Sequence, residues 1–211
     1  MNPAAPEFNN LDLAALGVWR GLGGSRADTE PTGHPELDRA LAGGWPVGAL
    51  SQIAGADGGE PGLGFSLLLP LLARLTAAGR PAALVNPPHI PYAPALRDAG
   101  VDLQQLLWIA PKDRVDALWA TEQMLRSGLL GMVALWSPSL DATVERRLQL
   151  AAETGRSVGI VAHPRAVHGS IAALRLQVSA TPAALRVEVL RCRGARSGSR
   201  VECPFAQRLA A

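Results

Sequence analysis

The chain has 211 residues, of which 48% are hydrophobic and 18% are charged, and its formal net charge at pH 7 is +2. This composition indicates a core-forming protein of about one α/β domain and excludes an intrinsically disordered chain. The small net charge gives no argument for nucleic-acid binding, and two cysteines, Cys192 and Cys203, do not make a disulfide framework. Residues 1–10 lack the features of a signal peptide and no apolar run approaches about 18 residues, so we expect a cytoplasmic protein without a membrane segment.

The predicted elements begin with an N-terminal tail over residues 1–31, which includes a short helix from Leu11 to Leu22. Next comes a helix of little more than one turn at Leu37–Leu41, which ends before a glycine, as helix C-termini commonly do. Residues 32–195 are expected to form the main domain. Residues 196–211 are expected to be a C-terminal tail.

The stretch from Gly48 to Arg74 is built like a phosphate-binding loop, with a short apolar strand, a glycine-rich turn and an apolar helix. Such loops read Gly-x-x-x-x-Gly-Lys-Ser/Thr: backbone N–H groups hold the phosphates, the lysine neutralises them and the hydroxyl holds Mg²⁺. Here Gly59 and Gly64 have the glycine spacing, and Ser66 supplies the hydroxyl. On this motif alone, an ordinary strand–turn–helix connection stays open as the alternative.

The position of the loop lysine is occupied by Phe65, whose ring supplies no positive charge. Asp57 and Glu60 add negative charge where a phosphate would lie. The stretch therefore indicates a nucleotide-loop scaffold that has lost its nucleotide chemistry, and we expect no bound cofactor and no metal.

The rest of the chain alternates short apolar runs with longer amphipathic stretches, which predicts a mainly parallel sheet with both faces covered by helices. The last third alternates like antiparallel strands that close the sheet edge. The predicted strands are 81–85, 106–110, 131–136, 158–162, 173–179 and 185–192, and the predicted helices are 67–78, 113–127 and a segment ending at 148–154.

Three tryptophans lie within these apolar runs, and we expect Trp108, Trp119 and Trp136 to pack in the core. His163 follows the strand at 158–162, where we expect it to cap the strand end. No histidine or serine is placed in sequence so as to suggest a nucleophile and its base.

Two groups of residues are candidate partner contacts. Arg146 and Arg147 lie early on an amphipathic helix and are expected to point outward, where a solvated helix face is the alternative. The second group lies in the last part of the chain, where a mobile hairpin explains the arginines as well as a partner or phosphate contact does. Its members are Arg191, Arg193, Arg196, Arg200 and Phe205.

The approach to the glycine-rich turn resembles that of RecA-like recombinases. It contains a Thr-Gly-x-x-x-Leu-Asp-x-x-Leu segment from Thr32 to Leu41 and a Gly-Gly-x-Pro-x-Gly turn from Gly43 to Gly48. The resemblance implies a RecA-like fold of the P-loop NTPase type, with a mainly parallel sheet, helices on both faces and antiparallel edge strands at the C-terminal end.

Within that superfamily the chain resembles the ImuA family of translesion-synthesis-associated proteins over about residues 15–195. The segments that carry the resemblance are VWRG (18–21), GWPVGAL (44–50), LLLP (67–70), NPPHIPYAPAL (86–96), LWATEQMLRSG (118–128) and RRLQLAAE (146–153). NPPHIPYAPAL is the most specific of them, because proline at four of eleven positions is rarely accidental.

A RecA-type ATPase also needs an acidic residue after its second strand and a Mg²⁺-orienting aspartate at the end of its central strand. Pro88 and Trp136 stand at these positions, so with Phe65 all three charged positions are substituted. Phosphoryl transfer depends on positioned charge around the phosphate and Mg²⁺. We therefore expect a protein that is not an enzyme and has no catalytic residue.

The resemblance implies a non-catalytic accessory protein of an SOS-induced translesion DNA synthesis (mutagenesis) complex, acting through protein–protein contacts in the bacterial cytoplasm. The implied partners are an ImuB-like Y-family polymerase homologue and an error-prone polymerase III alpha-type subunit. RecA is a further candidate partner, and direct contact with DNA is left open. The alternative is a SulA-like cell-division inhibitor that binds FtsZ, since that related group also lacks the ATPase residues.

Overall fold

The computed structural model describes residues 28–56, 62–165, 169–195 and 197–205. The helices within this part of the chain are α1 (Pro35–Ala40), α2 (Leu63–Ala77), α3 (Ala93–Asp98), α4 (Arg114–Ser127) and α5 (Ala142–Gly155). The strands are β1 (Thr29–Glu30), β2 (Trp45–Pro46), β3 (Ala49–Gly55), β4 (Ala82–Val85), β5 (Leu106–Ile109), β6 (Met132–Trp136), β7 (Val158–His163), β8 (Leu174–Ala180), β9 (Ala184–Cys192) and β10 (Arg200–Pro204). The predicted helix at 11–22 lies outside the described residues.

One large sheet organises the fold, with its strands in the order β10-β9-β8-β3-β7-β6-β4-β5. The strands from β8 to β5 in this order run parallel, while β9 and β10 are antiparallel to their neighbours. A small antiparallel pair, β1 with β2, stands apart from this sheet. The predicted α/β architecture, a mainly parallel sheet with antiparallel C-terminal strands, is confirmed.

The sheet is covered on both faces, which explains why its central strands are mostly apolar; Ser51 and Gln52 in β3 are buried polar exceptions. One core lies between the sheet and α1, α2 and α3, and includes Leu68 and Leu84. The other lies on the opposite face under α4 and α5, and includes Val133 and Leu148. Every residue of β3, β4, β6 and β7 is buried, as expected for parallel strands between two helical layers.

The last strands have a different pattern, because helices cover only one of their faces. Buried and half-buried residues alternate along β8. Its apolar side chains, among them Leu174, Leu176 and Val178, join the core under α2, while Arg175 on the other face donates to Gln52 at 3.0 Å. This period of two is the signature of a sheet with one covered face.

The predicted C-terminal tail was wrong for part of its length. Residues Arg200–Pro204 form β10 and pair with β9 from Arg200 opposite Glu188 to Pro204 opposite Ala184. The predicted boundary at 195 and 196 therefore falls inside a hairpin of the sheet. The N-terminal boundary at 31 and 32 follows β1, which pairs with β2; the division of the chain into domains stays a prediction.

The prediction that three tryptophans lie in the core is correct for only one of them. Trp136 is 7% exposed, but Trp108 on the edge strand β5 is 49% exposed and Trp119 on α4 is 62% exposed. Apolar neighbours in sequence do not bury a side chain when its strand lies at the sheet edge or its helix face points to solvent. No helix in the described part of the chain has the length and apolar character that a bilayer span needs.

Candidate functional site

The sequence-predicted nucleotide positions come together at one edge of the sheet. Phe65 lies in the first turn of α2, after β3, while Pro88 follows β4 and Trp136 ends β6. Because β3, β4 and β6 are parallel, their carboxyl ends share one edge. Ligands of open α/β sheets bind in the crevice at that edge.

The start of α2 keeps the close packing of a phosphate loop but not its charge. A Cβ on Gly64 would lie 2.9 Å from Cγ2 of Ile53 in β3, so only glycine lets the helix approach the strand this closely. Ser66 follows in the same helical turn and is half-buried. Gly59, Asp57 and Glu60 lie outside the described residues.

Phe65 and Trp136 pack against one another instead of holding charge. Their ring centroids lie 6.1 Å apart at an interplanar angle of 49°, within the range of favourable tilted aromatic pairs. Phe65 is half-buried and contacts the core under α2, to which Trp136 also belongs. The two positions that the RecA-like resemblance assigns to lysine and aspartate are therefore occupied by an aromatic pair.

Next to this pair is a cavity of about 300 Å³ that opens at the carboxyl ends of the strands. Lysine, arginine, aspartate and glutamate are all absent from its described lining, in which His89 is the one basic side chain. Among the described lining residues none is a Lys or Arg donor of the kind that commonly binds phosphate. The described lining consists of Gly62, Phe65, Leu69, Pro87, Pro88, His89, Ile90, Pro91, Tyr92, Ala95, Leu96 and Trp136.

The proline-rich segment after β4 forms one wall of this cavity. Asn86 turns the chain at the strand end with a φ of 50° and donates its N–H to the carbonyl of Ile109 at 2.9 Å. Beyond it, Ile90 and Tyr92 are 75% and 71% exposed. The sequence identified this segment as distinctive, but it did not indicate that these two side chains would stand exposed beside the cavity.

His163 is placed as a buried cap between two strand ends, as expected from the sequence. Its Nδ1 lies 2.7 Å from the carbonyl oxygen of Ser137. A carbonyl only accepts hydrogen bonds, so Nδ1 carries the proton and donates it. The Ser137 hydroxyl donates to the carbonyl of Ser139 at 2.9 Å rather than to a base, so the pair is not arranged as a nucleophile and its base.

Burial lowers the pKa of His163 below its ordinary value of 6.5, and the carbonyl of Ser137 and the carboxylate of Glu145 act against this effect. The unfolded chain therefore takes up a proton more readily than the folded chain as the pH falls through and below about 6.5. Stability that is present above this pH is lost in acid.

We expect the His163→Gln variant to lose less unfolding free energy than the parent between about pH 7.5 and about pH 5.5. Burial also lowers the pKa of His34, so the acid sensitivity should shrink without vanishing. Urea unfolding at the two pH values measures the difference. An equal loss in parent and variant would show that His163 does not titrate differently in the two states.

The two predicted arginines on α5 have different surroundings. Arg147 forms an ion pair with Glu122 of α4, whose other carboxylate oxygen accepts from Arg126 at 2.7 Å. Glu122 is buried, so this contact joins the two helices and occupies Arg147. Arg146 is exposed and is the better candidate of the two for a contact with a partner.

The predicted partner contacts in the last part of the chain also differ in their surroundings. Arg191 donates to the carbonyl of Ser170 at 3.3 Å, and Arg200 pairs with Glu188 across the β9–β10 hairpin. Arg193 is exposed, Phe205 is 38% exposed, and Arg196 lies outside the described residues. Ser170, whose carbonyl accepts from Arg191, also donates its hydroxyl to Glu145 of α5, so Arg191 lies near the start of that helix. A role of either group in partner binding stays a prediction.

The central part of this chain matches a family model. The model for the cell division inhibitor SulA matches residues 48–159, from the turn before β3 to the start of β7. The chain belongs to the SulA family. It is 35% identical over 107 residues, 51% of its length, to the cell division inhibitor SulA of Edwardsiella piscicida.

Two other kinds of relative resemble this SulA-family chain. It is 27% identical over 193 residues to protein ImuA of Caulobacter vibrioides, a match that covers 79% of each chain. It is 32% identical over 130 residues to protein RecA of Thermus aquaticus, over 61% of its own length. The matches span 62% of the Edwardsiella protein and 36% of the Thermus protein. These relatives support a DNA damage-related accessory protein with a RecA-like fold.

Proposed function

We propose that this SulA-family protein is a non-catalytic accessory protein of an SOS-induced translesion DNA synthesis complex and acts through protein–protein contacts. The observation that carries the proposal is the cavity at the carboxyl ends of the strands. Phe65, Pro88 and Trp136, which stand where a RecA-type ATPase holds its charges, line this one apolar site.

The chemistry of phosphoryl transfer explains why this lining argues against catalysis. The transferred phosphoryl group and its Mg²⁺ are stabilised almost entirely by fixed charges and dipoles. An apolar wall built from Phe65 and Trp136 offers neither a cation for the phosphates nor a carboxylate for Mg²⁺. A protein with this site is best suited to work by binding other proteins.

The proposed partners are an ImuB-like Y-family polymerase homologue and an error-prone polymerase III alpha-type subunit, with RecA as a further candidate. The match to the Caulobacter ImuA favours this assignment because it covers 79% of both chains. The match to the Edwardsiella SulA is higher in identity but covers 51% of this chain.

A second function is favoured by the family match itself. The SulA model covers residues 48–159, which includes the described lining of the cavity. On this alternative the protein binds the tubulin-like protein FtsZ and inhibits division.

The two functions are separated by direct binding measurements with purified proteins. We expect the ImuB-like protein encoded in the same genome to bind the full chain, and FtsZ from that genome to bind at least about tenfold more weakly, a difference of roughly 1.4 kcal/mol. Tighter binding of FtsZ would establish the alternative. If neither of these proteins binds, and the polymerase III alpha-type subunit and RecA do not bind either, both proposals are overturned.

We also expect Mg-ATP at millimolar concentration to leave the melting temperature of the protein unchanged. A ligand that binds the native state must stabilise it, by about 2.7 kcal/mol at a hundred times its Kd. Phe65→Lys should not restore stabilisation by ATP or its hydrolysis, since no carboxylate is gained at Pro88 or Trp136. A saturable increase in melting temperature in the parent would contradict the loss of nucleotide binding.

A further inference from the structure

The two edges of the large sheet differ in their protection against pairing with another strand. The outer strand at one edge, β10, carries Arg200, Glu202 and Pro204, all of them exposed. Arg200 pairs with Glu188, and Glu202 pairs with Arg186. Charges and proline on a short strand are the usual means by which proteins block edge-to-edge association.

The opposite edge strand, β5, has none of these features. Its sequence, Leu106-Leu107-Trp108-Ile109, contains no charge and no proline. Leu107 is 45% exposed and Trp108 is 49% exposed, on opposite faces of the strand. In the part of the chain that the structure describes, β5 pairs with β4 alone.

The hydrogen bonds to β4 show which backbone groups of β5 face outward. The carbonyl of Ile109 accepts from the N–H of Asn86 on the β4 side. Backbone groups of successive residues in a strand point to alternate sides, so those of Leu107 also face β4 and those of Leu106 and Trp108 face the open edge. The N–H of Leu106 is already bonded to the carbonyl of Leu103.

We propose that β5 is a self-association edge, on which a second copy of this chain pairs its own β5 in antiparallel orientation with Trp108 opposite Trp108. In this register the two Trp108 residues exchange N–H and C=O hydrogen bonds. The carbonyl of Leu106 in each copy accepts a hydrogen bond from the N–H of Ala110 in the other copy. Leu106 and Ala110 form the next hydrogen-bonded pair in this register. Their second bond, from the N–H of Leu106 to the carbonyl of Ala110, is not formed, because that N–H is bonded to the carbonyl of Leu103.

The neighbouring register, with Leu107 opposite Leu107, fits less well. It places Leu106 opposite Trp108. Because the N–H of Leu106 is bonded to Leu103 in both registers, this register forms about two hydrogen bonds between residues 106–110 of the two copies, against about four in the preferred one. The preferred register also brings the exposed Trp108 rings of the two copies side by side on one face. Aromatic cross-strand pairs of this kind stabilise sheets.

The charges that flank β5 favour a second copy in antiparallel orientation. Asp102 precedes the strand, and Lys112 and Arg114 follow it; all three are exposed. Asp113 lies between the two basic residues, so residues 112–114 keep a net charge of one positive. The carboxylates of Asp102 and Asp113 each accept from a backbone N–H, and Arg114 donates to the carbonyl of Ser139. Antiparallel pairing brings the acidic flank of each copy towards the basic flank of the other, and the two-fold axis makes the contact reciprocal.

The first test is the concentration dependence of the oligomeric state of the full chain. Sedimentation velocity should show dimers in the parent, and Trp108→Lys should raise the dimer dissociation constant at least about tenfold. Trp119→Lys is the matched control, because Trp119 is also largely exposed, at 62%, but lies on α4, so its replacement should leave dimerisation unchanged. Circular dichroism checks that both variants are folded.

The second test reads the register by disulfide cross-linking. In the proposed pairing the Cα atoms at position 108 lie about 5.5 Å apart, which a disulfide spans. Trp108→Cys should therefore give a covalent dimer under mild oxidation, and Leu107→Cys should not. The parent, with Cys192 and Cys203, controls for the native thiols. A monomeric parent, equal dimerisation of the two lysine variants, or cross-linking through position 107 in place of 108 would overturn the proposal.

Discussion

Deletion of residues 196–211 is expected to lower the unfolding free energy by roughly 2–4 kcal/mol, the value for one fully and one partly buried side chain, because it removes β10. Cys203 of this strand is fully buried, and Val201 is partly buried against the same core. Burial of each such side chain contributes about 1.5–3 kcal/mol. The loss is a large share of the roughly 5–15 kcal/mol by which a domain is stable, and the truncated chain should melt at a much lower temperature.

A shorter deletion separates the strand from the residues that follow it. Removal of 206–211 keeps every residue of β10 and should leave the melting temperature within a few degrees of the parent, as expected for less than 1 kcal/mol. Differential scanning calorimetry of the two deletions gives the comparison. If both melt like the parent, β10 does not contribute to stability in solution. If the 196–211 deletion no longer binds a partner, the cause can be the loss of β10 and its stability. A docking surface in the last residues is indicated only if the 206–211 deletion also fails to bind that partner.

Gly155→Ala is expected to destabilise the protein by about 1–3 kcal/mol, the usual cost of overpacking. A Cβ at this position would lie 1.9 Å from the carbonyl oxygen of Leu125 and 2.9 Å from the backbone N of Gly128. Both neighbours are backbone atoms of the neighbouring helix α4 or its C-terminus, so the two helices would have to separate. The direction is opposite to the usual one, since replacing glycine by alanine inside a helix normally stabilises by roughly 0.5–1 kcal/mol.

Thr154→Ala provides the control for this substitution. Thr154 precedes Gly155 on α5, is exposed, and bonds only to the carbonyl of Leu150 within its own helix. Its replacement should change stability by less than about 0.5 kcal/mol, because exposed surface substitutions usually do. Chemical denaturation of both variants measures the difference. A Gly155→Ala protein as stable as the parent would mean that α4 and α5 pack less closely than described.

Local sequence patterns predict some features of the site, while others depend on contacts between residues far apart in the chain. Phe65, Pro88 and Trp136 were identified from their positions relative to strands that the sequence predicted, and the parallel sheet brings them to one edge. Their assembly into a single cavity, and the exposure of Ile90 and Tyr92 beside it, depend on how α2 and the proline-rich segment pack. The local sequence pattern does not predict how these elements pack against one another.

Hydrophobic periodicity predicts the order of the longer strands and helices from β3 to β9, because it reflects the geometry of each element. The resemblance to RecA-like proteins predicts from residue identity alone that the lysine and both acids are replaced, by Phe65, Pro88 and Trp136. Only the tertiary structure decided that Trp108 and Trp119 are exposed, that Arg147 is held by Glu122, and that β10 belongs to the sheet. Burial and pairing depend on elements far apart in the chain, and a residue's own neighbours in sequence do not specify which of them will cover it.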